Sequence, residues 1–320
     1  MKTFTHINAT SISDAGDKLT QYGAEAMLIA GGTDLVPFLE TRCLPREQLP
    51  KYVINLKTIP DLDYITEDSD GLKLGALAKL HDIAFSSVVL AKWPALAEAA
   101  RKVAKWQIRN MATIAGNICA KKRCWYYRST WNKFDCVLKG GTGCPAVAGN
   151  HRYESVFGAT GGCYSVNPND TPPALVALNA TIKTNKSSYD AEDFFDGFKI
   201  TKMGAGEFVT EIQVPAPASG SGQSFVKASE RRAVDFASAS VACLITPATG
   251  TITAARIVLG AVGTVPILSD GGLVGKTLSE STADAAGAAA VAGANPISSL
   301  NSYKVQMSKG IIKRALLNLS

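Results

Sequence analysis

Seven cysteines stand at positions 43, 119, 124, 136, 144, 163 and 243, and five of them crowd between 119 and 163. The count is odd and the chain is large, so a disulfide framework is not expected, and clustered thiols in a reducing compartment point to a metal. Zinc sites are built from C-x₂₋₄-C pairs, whereas the intervals here are 5, 12, 8 and 19 residues. The first interval matches the opening of a plant-type 2Fe-2S loop, but no C-x₂-C completes it. The window also carries seven basic side chains (Lys121, Lys122, Arg123, Arg128, Lys133, Lys139, Arg152) against Asp135 and Glu154, nearly the whole of the chain's net charge of +6. Four thiolates around a 4Fe-4S core leave net negative charge, which such a basic excess would offset. Aromatic residues are dense here (Trp125, Tyr126, Tyr127, Trp131, Phe134, Tyr153, Phe157) and could shield a cluster from water. Free buried cysteines in a basic surface loop are the alternative that spacing leaves open.

A second chemistry is suggested by small-residue turns. Leu28, Ile29 and Ala30 run into Gly31-Gly32, followed by Thr33, Asp34 and Leu35. Two glycines after an apolar strand can expose consecutive backbone N–H groups to an anion such as a pyrophosphate. The plainer reading is a strand-to-helix turn with Thr33 or Asp34 as N-cap. The segment QIRNMATIAGNIC, positions 107–119, places Thr113, Gly116 and Asn117 in a loop where backbone could approach a ligand closely. The segment SFVKASERRAVDFA, positions 224–237, sets Lys227, Arg231, Arg232 and Asp235 on a strand and its following loop, or simply makes a solvated charged loop. No G-x-G-x-x-G occurs, and Asp270 stands where the first P-loop glycine would precede GGLVGKT, so neither a Rossmann nor a P-loop fold is expected. His6, His81 and His151 are the only histidines, and no nucleophilic triad signature accompanies them. The positive charge is confined to one loop without a nucleic-acid motif beside it.

The elements that must position these residues are short. Apolar runs bounded by turn residues predict strands over 27–30, 52–56 and 72–76, and later over 174–183, 208–214, 224–228 and 251–260. Helical spacing after Pro94 predicts a helix over 93–105, and alanine-rich helices follow from 281, ending in one over 301–319. The proline, glycine and serine of 215–222 read as a linker. With 46% hydrophobic and 19% charged residues, the 320-residue chain can bury a proper core. The apolar run over 237–246 is too short to span a membrane and the N-terminus lacks a signal core, so a cytoplasmic protein is expected.

In their order along the chain, LIAGGTDLV, RNMATIAGNI, NPNDTPPAL and FVKASERRAVDFA resemble the FAD-binding medium subunit of the xanthine oxidase family of molybdenum hydroxylases. The closing SYKVQMSKGIIKRAL is similar to the C-terminal domain of carbon monoxide dehydrogenase flavoproteins. The resemblance implies an α+β fold: a two-lobed FAD-binding domain over 1–216 with an inserted iron–sulfur loop near 119–165, then a small α+β domain over 222–320. It implies a pyrophosphate loop on Leu28, Ile29, Ala30, Gly31, Gly32, Thr33, Asp34 and Leu35, and a second flavin loop on Ala112, Thr113, Gly116, Asn117 and Ile118. Asp170 matches the family's ribityl-binding aspartate and Lys227 its lysine near the isoalloxazine. Ala115 stands where the family has a glycine, and its methyl could narrow the approach to the phosphates.

The insertion resembles the one in the β subunit of 4-hydroxybenzoyl-CoA reductase, which carries an additional 4Fe-4S cluster. That resemblance implies Cys124, Cys136, Cys144 and Cys163 as ligands, with Cys119 spare. The implied protein is an electron-transfer flavoprotein subunit, passing electrons between an external donor or acceptor, the 4Fe-4S cluster, FAD and a 2Fe-2S partner subunit. Substrate chemistry falls to a molybdenum cofactor in a large partner, in a dimer of heterotrimers, with ferredoxin or NAD as external redox partner. Two alternatives stand: the FAD subunit of a xanthine, purine or aldehyde hydroxylase delivering electrons to NAD or another acceptor, and a zinc-stabilised assembly module without flavin. Neither nucleic acid nor membrane is an expected partner.

Overall fold

The computed structural model describes residues 1–231 and 234–319, so Arg232 of the charged loop lies outside the described residues. The chain begins with three parallel strands, β1 (Thr5–Asn8), β2 (Ala26–Ile29) and β3 (Tyr52–Asn55), in the order β1-β3-β2. Between β1 and β2 runs the helix Ile12–Tyr22, started by Ser11, whose hydroxyl accepts from the Asp14 N–H, and favoured by Asp14 at the positive end of the helix dipole. Because β2 is an edge strand, its carboxyl end delivers Gly31-Gly32 to the rim of the sheet, followed by the helix Leu35–Thr41.

A five-stranded antiparallel sheet follows in the order β4-β5-β10-β6-β7, from β4 (Ile65–Asp68), β5 (Gly71–Gly75), β6 (Thr181–Thr184), β7 (Ser188–Asp190) and β10 (Val209–Pro215). The two-residue strands β8 (Phe195–Asp196) and β9 (Ile200–Thr201) pair beside it. Its core is filled by the helix Pro94–Lys102, which buries Ala95, Leu96, Ala97, Ala99 and Ala100 and has proline in its first turn, where a missing N–H costs nothing.

The third sheet is an antiparallel meander, β11 (Gly222–Ala228), β12 (Ala239–Thr246), β13 (Ala254–Gly260) and β14 (Ile267–Ser269). The helices Glu280–Ala290 and Ser299–Leu317 pack with it, each opened by a capping box, Ser279 with Thr282 and Ser298 with Asn301.

One expectation changes. The predicted strand over 174–183 is the helix Thr171–Ala177 followed by β6. All seven helix residues are buried, which erases the polar face that would have shown a helical period, and Pro172-Pro173 start the helix rather than break it. The apolar run over 237–246 contains β12, paired on both edges by β11 and β13. Among the described residues, no helix is long and apolar enough to cross a membrane.

The cysteine-rich window has little regular structure beyond single turns such as Pro145–Ala148. Tertiary bonds hold it instead, and its far end lies along the helix Ser299–Leu317. His151 Nε2 is 2.7 Å from Ser298 Oγ, Asn301 Nδ2 donates to the Ser155 carbonyl at 3.2 Å, and the Val156 N–H donates to the Val262 carbonyl at 2.8 Å. His151 is buried and joins the window to the cap of that helix.

Candidate functional site

The two small-residue turns meet. A Cβ added to Gly31 would stand 1.9 Å from the Met111 carbonyl oxygen, so only glycine allows this contact, and Gly32 has φ +71°. The second turn is pinned from behind: Leu80 N–H donates to the Ala112 carbonyl at 2.9 Å and Ile114 N–H to the Ala78 carbonyl at 2.9 Å. Thr113 Oγ1 accepts from Gly116 N–H at 3.2 Å and starts the short helix Ile114–Ile118, while Asn117 Oδ1 accepts from Thr171 Oγ1 at 2.6 Å. Ala112 and Ile118 are buried beneath the turn. Ala115 packs against the core of the second sheet.

Leu28 and Ile29 belong to β2, Ala30 and Thr33 lie in the half-buried turn, and Leu35 opens the following helix. Asp34 occupies the N-cap position yet makes no side-chain cap bond. Its carboxylate is instead engaged by Arg123 at 2.7 Å and Arg128 at 2.9 Å, both from the cysteine-rich window.

Asp170 and Lys227, 57 positions apart, form a buried ion pair with Nζ to Oδ2 at 2.6 Å. Burial pushes the Asp170 carboxyl up, and the Lys227 ammonium opposes it. Its second oxygen, Oδ1, is buried without a hydrogen-bond partner, as is the amide Nδ2 of Asn167 three residues earlier. Buried polar atoms without partners are uncommon in folded proteins, and here one acceptor and one donor make no hydrogen bond within the chain. Close by in sequence, Val166 and Pro168 line a cavity of about 300 Å³, with Arg123, Trp125, Tyr153 and Phe236 contributing other walls. Arg231 and Asp235 of the charged loop lie on the same cavity and pair with each other at 3.2 Å.

All seven cysteines are free. Cys43 and Cys243 are buried in separate cores, and Cys119 packs against the core of the second sheet. Of the four implied ligands, Cys136 and Cys163 are buried and Cys124 and Cys144 half-buried. They share one region: Cys144 acts electrostatically on both Cys136 and Cys163, and Lys122 feels both Cys163 and Cys124. Among the described residues, however, no three histidine, cysteine or acidic side chains converge into a group that could hold a metal ion. Burial pushes the Cys124 and Cys136 thiols up and the Cys163 thiol to about 11. Binding of a metal would therefore displace their protons.

The surroundings are cationic and largely invisible in sequence. Lys122 Nζ donates to the carbonyls of Ser165 at 2.8 Å and Thr264 at 3.0 Å, and burial lowers it to about 8. Lys304 Nζ donates to the carbonyls of Tyr153 at 2.6 Å and Ala261 at 2.7 Å, and burial lowers it to about 7, against the pull of Glu154. Glu154, itself buried, meets the Cys124 thiol. Lys139 Nζ is buried with no hydrogen-bond partner and acts on Cys136. The basic excess of the window was the available signal for Lys122 and Lys139. Nothing local marked Lys304, which arrives from a helix about 140 residues away in sequence.

Comparison with known proteins identifies the family and the fold. Residues 2–217 match the FAD binding domain in molybdopterin dehydrogenase, and residues 224–319 match the CO dehydrogenase flavoprotein C-terminal domain. The carbon monoxide dehydrogenase medium chain of Hydrogenophaga pseudoflava is 29% identical over 316 residues, covering 96% of this chain and 93% of that one. The aldehyde oxidoreductase FAD-binding subunit PaoB of Escherichia coli is 30% identical over 258 residues, covering 77% and 79%. A solved carbon monoxide dehydrogenase from Hydrogenophaga pseudoflava superposes with a TM-score of 0.77 at 27% identity, over 99% of this chain and 97% of that one. A zinc-stabilised module without flavin, the reading of another class, gives way to the match with an FAD-binding domain over more than half the chain. The chain belongs to the family of FAD-binding medium subunits of molybdenum oxidoreductases.

Proposed function

We propose that FAD lies across the junction of the two turns, with its diphosphate against the backbone of Leu28, Ile29, Ala30, Gly31, Gly32, Thr33, Asp34 and Leu35 and of Ala112, Thr113, Gly116, Asn117 and Ile118. The Thr113 and Asn117 side chains and the Ala112, Gly116 and Asn117 N–H groups are already bonded within the chain, so they hold this turn in shape beneath the diphosphate. The unpartnered Asp170 Oδ1 suits a ribityl hydroxyl, and Lys227 keeps that carboxylate charged and oriented. Bound there, FAD supplies one- and two-electron transfer. The FAD-binding domain would span 1–216 and the C-terminal domain 222–320, with the boundary in the loop between β10 and β11.

We further propose a 4Fe-4S cluster on Cys124, Cys136, Cys144 and Cys163. The observation that supports this is a lobe of free thiols among buried lysine side chains, with Lys139 Nζ making no hydrogen bond, so that an anionic cluster there would meet positive charge. The subunit would pass electrons between an external carrier, the cluster, FAD and a small 2Fe-2S subunit. A large molybdenum subunit would carry out substrate chemistry in a dimer of heterotrimers resembling 4-hydroxybenzoyl-CoA reductase, with ferredoxin as donor. Free thiols suit the cytoplasm. A second reading, a hydroxylase delivering electrons to NAD or another acceptor, is favoured by the carbon monoxide dehydrogenase and aldehyde oxidoreductase relatives.

Purified complex tests these readings together. A flavin spectrum with an iron–sulfur shoulder, and more iron than a 2Fe-2S partner supplies, supports the cluster. Cys136→Ser should lower iron content while sparing FAD; unchanged iron refutes the ligand assignment. Flavin reduced by ferredoxin and not by NADH supports the reductase reading, and the converse supports the hydroxylase.

A further inference from the structure

The acidic residue of the glycine turn is held by the cysteine-rich window. From the geometry we infer that Arg123 and Arg128 form part of the dinucleotide site: they neutralise Asp34, so that the affinity for FAD depends on the docked state of the cysteine-rich window. This rests on the reading of Gly31 to Asp34 as the diphosphate turn.

A carboxylate in an anion-binding turn opposes a diphosphate, and Asp34 makes no cap bond that would give it a local structural purpose. Two guanidinium groups turn the local charge of the cluster from −1 to +1. Arg128 is the more buried of the two, with its side chain 12% exposed. It also donates to the carbonyls of Lys122 at 2.8 Å and Lys121 at 3.0 Å, and its guanidinium lies 5.0 Å over the Phe38 ring. Phe38 belongs to the helix that Asp34 begins, so Arg128 clasps both the turn and the helix behind it. Arg123 reaches the other way, with its guanidinium 4.6 Å from the Phe236 ring in the loop between β11 and β12. One ion-pair cluster thus joins the glycine turn, the cysteine-rich window and the third sheet. The pairs are half-buried and short, so salt screens them less than open surface pairs.

The test is titration of the full-length, deflavinated chain with FAD, followed by flavin fluorescence, alongside circular dichroism for folding. Arg128→Met and Arg123→Gln should each raise Kd on the order of tenfold, the scale of one charge interaction at partial burial. Adding Asp34→Asn to Arg128→Met should restore most of the affinity, because the carboxylate that needed neutralising is gone. A purely structural role for Arg128 predicts no such recovery. Arg123 is more exposed, with its side chain 35% accessible against 12% for Arg128, so Arg123→Gln reads charge with the lobe's fold retained. Unchanged Kd in both arginine variants, or no recovery in the double variant, overturns the inference while leaving the flavin site standing. A wild-type chain that binds no FAD overturns the diphosphate-turn reading and this inference with it.

Discussion

Gly31→Ala isolates the contact on which the site depends. The new methyl would begin 1.9 Å from the Met111 oxygen and 2.7 Å from its carbonyl carbon, whereas real Cβ contacts essentially never fall below 3.0 Å. One backbone must therefore retreat by about 1.1 Å, the difference between those distances. The second turn is tied to the segment over 76–80 by the Leu80 to Ala112, Ile114 to Ala78 and Ala115 to Ala76 bonds, so the glycine turn is the side that yields. It is anchored by the bonds from Leu56 N–H to the Ile29 carbonyl at 2.9 Å and from Lys57 Nζ to the Ala30 carbonyl at 3.0 Å, which the shift would strain. Overpacking of this kind costs about 1–3 kcal/mol of stability. A misplacement of roughly 1 Å in a preorganised site costs on the order of a hundredfold. FAD affinity should therefore fall by about two orders of magnitude while the fold survives, as read by fluorescence titration and thermal unfolding. Gly32→Ala is the control: its φ of +71° imposes about 1–2 kcal/mol of backbone strain, but the nearest obstacle is the side-chain tip of Ile29 at 3.3 Å. It should lose stability with a much smaller loss of affinity. Wild-type FAD affinity in Gly31→Ala would refute the reasoning.

Lys227→Met leaves Asp170 charged and buried without its partner, so stability should fall by about 3–5 kcal/mol in chemical denaturation; a loss under 1 kcal/mol would mean that solvent reaches the pair. Lys304 is held down to about 7 in the folded chain and returns to the ordinary lysine value on unfolding. The unfolded state therefore binds the extra proton between those values, and this group's contribution to stability rises with pH from about 7 towards 10, by up to about 1.4 kcal/mol per unit. Lys304→Met should remove that part of the slope in unfolding followed at pH 7, 8 and 9, and an unaltered slope would contradict a buried, depressed ammonium. Cys119→Ser should change neither iron content nor FAD content, since Cys119 packs against the core of the second sheet; loss of iron would make it a ligand.

The sequence alone determined the order of small-residue turns, the positions of β2, β3, β5, β10, β11 and β13, and the concentration of thiols and positive charge between 119 and 163, because each is a local property of residue type and spacing. It also carried the family resemblance, through motifs that are individually weak and jointly specific. It misread 174–183, since a helix buried on every side shows no period to distinguish it from a strand. Asp34 looked like a helix cap because capping is the short-range use of an aspartate at such a turn; its arginine partners lie about 90 residues onward. The same holds for Asp170 with Lys227 and for Lys304 with the carbonyls of the cysteine-rich window. Which charges meet, and which buried atoms are left for a ligand, was decided by the tertiary structure, because pairing across long sequence separations depends on how the three sheets pack rather than on any local pattern.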